Sequence, residues 1–87
     1  MKITTVYYSK HFKKAVHRYK HLNVLIKKRI LLFLKDPFDP RLKTHRLGGK
    51  LEGYWSFSIN YHLRIMFEFS DDTTVSFIDM GTHEIYK

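Results

Sequence analysis

The sequence contains no cysteine, so neither a disulfide framework nor a thiolate metal site can supplement a small core. No stretch approaches the roughly 18 consecutive apolar residues that a membrane helix needs. The opening Met1-Lys2-Ile3-Thr4-Thr5 lacks the apolar run of a secretion signal. The expectation is a protein of the cytoplasm with no membrane partner. Repeats, low-complexity tracts and linkers are also missing. With 87 residues, 44% of them hydrophobic, the chain has material for one core rather than two. At this size a chain buries roughly 64% of its unfolded surface. Residues 1–87 are therefore expected to form a single domain.

Acidic residues are scarce in one half. Residues 1–50 hold fourteen bases against two acids, Asp36 and Asp39, a local charge of +12; residues 51–87 hold two bases against six acids, a local −4. Such polarity fits a face that attracts phosphates through counterion release, or one that meets the acidic segment of a partner. Charge alone fits equally a surface made soluble by lysine.

Lys2 to Tyr7 alternates and is rich in β-branched residues, which predicts a first strand. Ser9 can cap a helix in which Phe12, Ala15, Val16 and Tyr19 recur at three-and-four spacing. Asn23 reads as a joint or a second cap before an apolar second helix carrying Leu25, Ile26, Ile30, Leu32, Phe33 and Leu34. That helix should stop near Asp36, because Pro37 disfavours helical geometry in the residue before it, and Asp36-Pro37-Phe38-Asp39-Pro40 reads as a rigid, extended connector. From residue 51 the period falls to 2. Tyr54 to Asn60 and His62 to Phe69 alternate as half-buried antiparallel strands, Ser70-Asp71-Asp72-Thr73 is a turn, and Thr74 to Met80 is a third strand of weaker alternation. The predicted class is α+β: an N-terminal strand, an α-helical hairpin, then an antiparallel three-stranded meander packed on the helices, β-α-α-β-β-β.

Register follows from the apolar sets. Pairing Ile59 with Leu63, Phe57 with Ile65 and Trp55 with Phe67 puts the large apolar residues, Trp55 among them, on the face the helices cover. Ser56, Ser58, Arg64, Met66 and Glu68 then share the opposite, open face. Across the next turn Arg64 is expected opposite Asp79 or Met80, which brings His83 within roughly 10 to 13 Å of it.

The motifs now resemble a known family. Leu42-Lys43-Thr44-His45-Arg46-Leu47, Leu51-Glu52-Gly53-Tyr54-Trp55-Ser56, His62-Leu63-Arg64-Ile65-Met66-Phe67 and Gly81-Thr82-His83-Glu84-Ile85-Tyr86 follow the strand and hairpin in order. Their order and spacing are similar to those of the RelE/ParE superfamily of bacterial toxins, and within it the RelE, YoeB and YafQ type of ribosome-dependent mRNA endonuclease. The resemblance spans nearly the whole chain and implies a RelE-like toxin domain.

Metal-free RNA cleavage needs a base for the ribose 2′-hydroxyl, a cation for the pentavalent phosphate and an acid for the departing 5′-oxygen. Histidine suits the proton steps with an ordinary pKa near 6.5. Arginine suits the phosphate because its planar fork stays charged. His45, Arg64 and His83 fit these roles. The resemblance implies that His83 is the C-terminal histidine that YafQ-type toxins use catalytically, and Arg64 the arginine at the scissile phosphate. His45 matches a histidine of YafQ-type toxins and a glutamate of YoeB-type ones, for base or substrate positioning. Without that resemblance, Arg64 reads as a strand residue paired with Glu68 or Asp79, His83 as a solvated tail residue and His45 as ordinary loop polarity. Tyr86 either takes part at the phosphate or a base, as the last aromatic of related toxins does, or packs on the sheet. Lys43, Arg46 and Lys50 read as phosphate contacts. YafQ-like chains carry further polar residues where this one has Ser58 and Leu63, and an aspartate where it has His62; Ser58 and His62 are expected at the nucleic acid.

His17 and His21 lie four apart on the first predicted helix, the spacing of two metal ligands, but surrounding lysines and the lack of a third ligand argue against a metal. No cofactor is expected. The resemblance implies the toxin of a type II toxin–antitoxin system that cuts mRNA in the ribosome, with the 16S rRNA, the message and a cognate antitoxin as partners in a hetero-oligomer. The alternative is a ParE-like toxin that poisons gyrase, or an inactive binding relative.

Overall fold

A computed structural model describes residues 2–86. The chain runs through β1 (Thr5–Tyr8), α1 (Lys10–Arg18), α2 (Asn23–Lys35), β2 (His45–Arg46), β3 (Trp55–Ser58), β4 (Arg64–Asp71) and β5 (Thr74–Gly81), and closes in a 3₁₀ turn over His83–Tyr86. The strands form one sheet in the order β1-β5-β4-β3-β2. The predicted strand, hairpin and meander are all present. Two edge pairings extend them: β1 lies parallel to β5, and the two-residue β2 lies antiparallel to β3.

Ser9 starts α1 as its sequence predicts, accepting a hydrogen bond from the Phe12 amide at 3.0 Å. The helix is shorter than its apolar stripe suggests. It ends at Arg18, and a 3₁₀ turn over Lys20–Leu22 leads into α2. His17 and His21 therefore do not sit one turn apart on a continuous helix, which removes the two-ligand spacing. Asn23 is the first residue of α2 and not its cap; Leu22 holds the cap position without a side-chain bond. At the other end α2 stops before Asp36, whose extended backbone is the geometry Pro37 demands. The connector is not extended throughout. Asp36 Oδ1 accepts from the Phe38 amide and Asp39 Oδ1 from the Arg41 amide, two turns that feed the 3₁₀ segment Pro40–Leu42.

The helices cover one face of the sheet. Phe33 of α2 stacks on Phe57 with centroids 4.3 Å apart and meets Phe67 and Phe77 edge-on. Burying each such ring contributes roughly 1.5–3 kcal/mol. Trp55 pairs with Phe67 and Phe57 with Ile65 in the register the apolar sets require, and the Ile59 amide donates to the Leu63 carbonyl. Trp55 itself is half-buried, against Phe38, Phe67 and Phe69. Among the described residues no helix is long and apolar enough to cross a membrane.

One pairing differs from the sequence expectation. Arg64 lies opposite Gly81, not Asp79 or Met80. The cause is a β-bulge: Phe67 pairs with Phe77 but Met66 with Asp79, leaving Ile78 as an extra residue on β5. Its carbonyl accepts a hydrogen bond from the Ser9 hydroxyl, so the residue that caps α1 also satisfies the bulge.

Candidate active site on the open face

Alternation and register fix which side chains share the face away from the helices. His45 pairs with Ser56, Ser56 with Met66 and Met66 with Asp79, forming one row; Ser58, Arg64 and Gly81 form the next. With strands about 4.8 Å apart and residues about 3.3 Å apart along them, the Cα atoms of His45 and Arg64 are separated by about 12 Å. Both side chains can reach a group lodged between them. His83 follows Gly81 by two residues, so its Cα lies within about 12 Å of that of Arg64. The bulge shortens this link, because it moves Arg64's partner one residue closer to His83.

The open face is less open than its polar residues suggest. Ser56 is fully buried and Met66 nearly so, at 0% and 7% exposure. Over Ser56 the cover is the tail. Ile85 packs over Gly81, where an added Cβ would come within 2.5 Å of Ile85 Cγ2, and the Tyr86 hydroxyl hydrogen-bonds the Ser56 hydroxyl. Tyr86 thus packs on the sheet, with its ring edge-on to the His83 imidazole at 5.2 Å. His83 stays exposed. Tyr86 holds the segment that carries it.

His45 has a defined tautomer. Its Nδ1 lies 2.9 Å from the Lys43 carbonyl oxygen. A carbonyl can only accept, so Nδ1 carries the hydrogen, and in the neutral ring the lone pair is on Nε2. Lys43 adopts φ 53°, the only left-handed non-glycine backbone among the described residues, and this turns its carbonyl towards His45. Such a conformation costs on the order of 1–3 kcal/mol outside glycine.

The remaining predicted contacts separate. Arg46 follows His45 on β2 and so points to the other face, where its guanidinium lies 5.1 Å from the Trp55 ring centroid. Lys50 is exposed in the 3₁₀ turn Gly49–Leu51, at the Trp55 end of β3 rather than the Ser58 end. His62 is exposed in the β3–β4 turn, which the Asn60 side chain organises by accepting from the amides of His62 and Leu63. Lys43, Ser58 and Arg64 share the walls of an open cleft of about 220 Å³ with Arg29, Arg41 and Tyr61. The last three escape a reading by motif. Arg29 is one base among many on the helices, and only its tie to the Ile59 carbonyl at 3.0 Å brings it to the sheet. Tyr61 carries a fainter signal, an aromatic ring in a polar turn.

Arg41 forks onto the Asp39 carboxylate at 3.0 and 2.8 Å. That side-chain bond, with the Arg41 amide, lowers the Asp39 pKa to about 2. Asp71 is lowered too, first by the Thr73 amide at the β4–β5 turn. Among the described residues no three of His, Cys, Asp and Glu gather as a metal site.

A strand, a helical hairpin and a mostly antiparallel sheet carrying a basic, histidine-bearing face define the RelE-like class. Residues 1–86 match the family model described as "Bacterial toxin of type II toxin-antitoxin system, YafQ", and the chain belongs to that family: it is a type II toxin. Solved structures share the fold. YafQ from E. coli strain BL21(DE3) superposes with a TM-score of 0.75 at 21% identity, covering 93% of this chain and 94% of that one. The YoeB/ParE toxin from Agrobacterium tumefaciens gives 0.75 at 18% identity, covering 92% and 99%. YafQ in the E. coli DinJ-YafQ toxin-antitoxin complex gives 0.72 at 20% identity, covering 98% and 97%. No curated protein sequence matches the chain.

Proposed function

We propose that this toxin is a metal-independent endoribonuclease that cuts mRNA bound in the ribosome. The observation that carries the reading is the flanking of Arg64 by His45, whose neutral ring keeps its lone pair on Nε2, and by a second, exposed histidine just beyond Arg64's strand partner. In this reading His45 Nε2 takes the proton of the 2′-hydroxyl, and O2′ attacks the phosphorus. Arg64 pairs with the phosphate oxygens as negative charge gathers there. The P–O5′ bond breaks, O5′ takes a proton from the His83 imidazolium, and the products are a 2′,3′-cyclic phosphate and a 5′-hydroxyl. Tyr86 positions His83 through its bond to Ser56. Lys43 and Lys50 add phosphate contacts, and His62 adds one at the turn.

The ribosome supplies what a small domain lacks. It holds the codon so that the 2′-hydroxyl stands in line, which is the entropic part of the barrier. The basic hairpin would lie against ribosomal RNA. The DinJ-YafQ complex supports an antitoxin partner for this chain as well. The exposed Tyr7, Val24 and Leu31, beside the lysines of the helices, suit a segment that brings apolar and acidic side chains together. An antitoxin there would also block ribosome docking, so one contact would silence the enzyme in the cytoplasm.

The test is to incubate purified protein with ribosomes carrying end-labelled mRNA. Cleavage should leave 2′,3′-cyclic-phosphate ends at codon-spaced sites. His83→Ala should lose roughly 10²–10⁴ in rate, and Arg64→Ala about 10²–10³. Intact message would overturn the proposal, and intact message with inhibited supercoiling by gyrase would establish the ParE-like alternative.

A further inference from the structure

The cleft beside Arg64 gathers more positive charge than cleavage of one phosphate requires. Its walls include four cations from three parts of the chain: Arg29 of α2, Arg41 and Lys43 of the connector, and Arg64 of β4. Two of them are anchored by their side chains and a third by its backbone. Arg29 Nε donates to the Ile59 carbonyl, Arg41 forks onto Asp39, and Lys43 sits in its left-handed turn. Asp39 is the carboxylate bound at this wall, and it is committed to Arg41. Like charges brought together repel, and an anion between them relieves the repulsion.

Size and rim chemistry say which anion. The cleft is small and open, about 220 Å³, and its walls are mostly cationic, which suits a phosphate with part of its solvent better than an apolar base. The attached base must therefore lie outside. Tyr61 stands at that rim, 84% exposed, with the His62 ring edge-on to it at 4.9 Å. An aromatic ring left so bare beside a phosphate-sized cationic cleft is the arrangement that grips single-stranded nucleic acid, by stacking on a base while cations hold the backbone.

We propose that this cleft binds the phosphate next to the scissile one, with Tyr61 stacked on the base of that nucleotide, so that the protein reads a strand of at least three nucleotides. The assignment rests on the RNA-cleaving reading for the identity of the strand. It also gives the left-handed turn of Lys43 a second role, since the same residue contacts the neighbouring phosphate and sets the tautomer of His45.

Binding tests this without cleavage. The full chain is titrated, by NMR at low salt, with a single-stranded RNA pentanucleotide whose scissile ribose is 2′-deoxy, and with versions carrying one neutral methylphosphonate on either side of the scissile phosphate. One of these should bind the wild-type protein about tenfold more weakly, as for loss of a charge-assisted contact. In Arg29→Gln/Arg41→Gln that substitution should cost less than about twofold, because the partners are already gone. Tyr61→Ser should weaken binding of the unmodified strand about fivefold or more, and Tyr61→Phe should not. Equal penalties in the wild-type and doubly substituted proteins would overturn the proposal, as would unchanged binding by Tyr61→Ser. Cleavage of ribosome-bound message is scored separately. A wild-type protein that cuts nothing yet shows the methylphosphonate pattern refutes the nuclease reading and supports the cleft; one that cuts normally without the pattern refutes the cleft alone.

Discussion

Replacing Gly81 with alanine isolates the tail's contribution to the proposed cleavage. The added Cβ would stand 2.5 Å from Ile85 Cγ2, about 1 Å inside the roughly 3.5–4.0 Å of an ordinary carbon–carbon contact. The backbone at residue 81 does not itself need glycine, since the left-handed glycines are Gly49 and Gly53. Isoleucine branches at Cβ, so its methyl cannot leave without changing the χ1 rotamer. The turn His83–Tyr86 must instead lift by about 1 Å, drawing Tyr86 from Ser56 and His83 from Arg64. A misplacement of that size costs on the order of 10²-fold in rate. Stability should barely change, falling less than about 1 kcal/mol or some 5 °C in Tm, because the tail packs at the surface of the sheet. The assay is single-turnover cleavage of ribosome-bound mRNA beside thermal unfolding of the same preparations. Gly81→Ala/Ile85→Ala should regain most of the rate, since it removes the colliding methyl. Wild-type cleavage by Gly81→Ala would refute the claim that His83 works from the position the tail gives it.

Ser9→Ala removes the α1 cap and orphans the Ile78 carbonyl, so it should cost about 2 kcal/mol and about 10 °C in Tm; Ser9→Asp, which keeps only the cap, should recover about half in the same melts. Phe33→Ala should cost about 3–5 kcal/mol by chemical denaturation, because the ring fills the centre between three phenylalanines of the sheet. Arg46→Ala should lose about 0.5–1 kcal/mol of stability through its contact with Trp55, while cleavage stays within about threefold of wild type. The Asp39 pKa is depressed to about 2 by Arg41, so its stabilising contribution is present above the ordinary carboxylate value and is lost as pH falls through about 2. The Tm difference between wild type and Asp39→Asn should accordingly stay constant from pH 7 down to the ordinary carboxylate range and shrink below it, and the Asp39 carboxyl should titrate near pH 2 by NMR.

The face carrying the candidate site was legible because period-2 patterning leaves only two choices of which face is buried. Pairing Trp55 with Phe67 puts Trp55, Phe57, Ile65, Phe67 and Phe69 on one side, and a slip by one would bury Arg64 with them. The same patterning could not reveal that Ser56 and Met66 are buried as well. The cover of Ser56 comes from a tail whose return depends on Ile85 finding room over Gly81 and Tyr86 finding a hydroxyl, contacts between residues up to 30 positions apart with no periodic signature. Arg46 illustrates another limit. A basic residue next to a site residue in sequence lies on the opposite face of a strand, so proximity along the chain argued for a phosphate contact that alternation directs towards Trp55.

The bulge on β5 was present in the sequence as an irregularity. Val75, Phe77 and Met80 are the buried apolar residues of that strand, spaced two and then three apart. A regular strand would have placed residue 79 in the core, and Asp79 cannot go there without a partner for its charge. One extra residue at Ile78 resolves the conflict. Asp79 returns to the open face opposite Met66, Met80 enters the core opposite Ile65, and Gly81 comes beside Arg64. The broken alternation that makes this strand the weakest in the sequence is thus the feature that brings the histidine tail to the arginine. Ser9 fixes it by bonding the Ile78 carbonyl from the start of α1. The Ser9 hydroxyl therefore links the start of the helical hairpin to the strand beside the candidate site, and a change that loosens the first turn of α1 should reach the proposed cleavage through the register of β5 before it reaches the core.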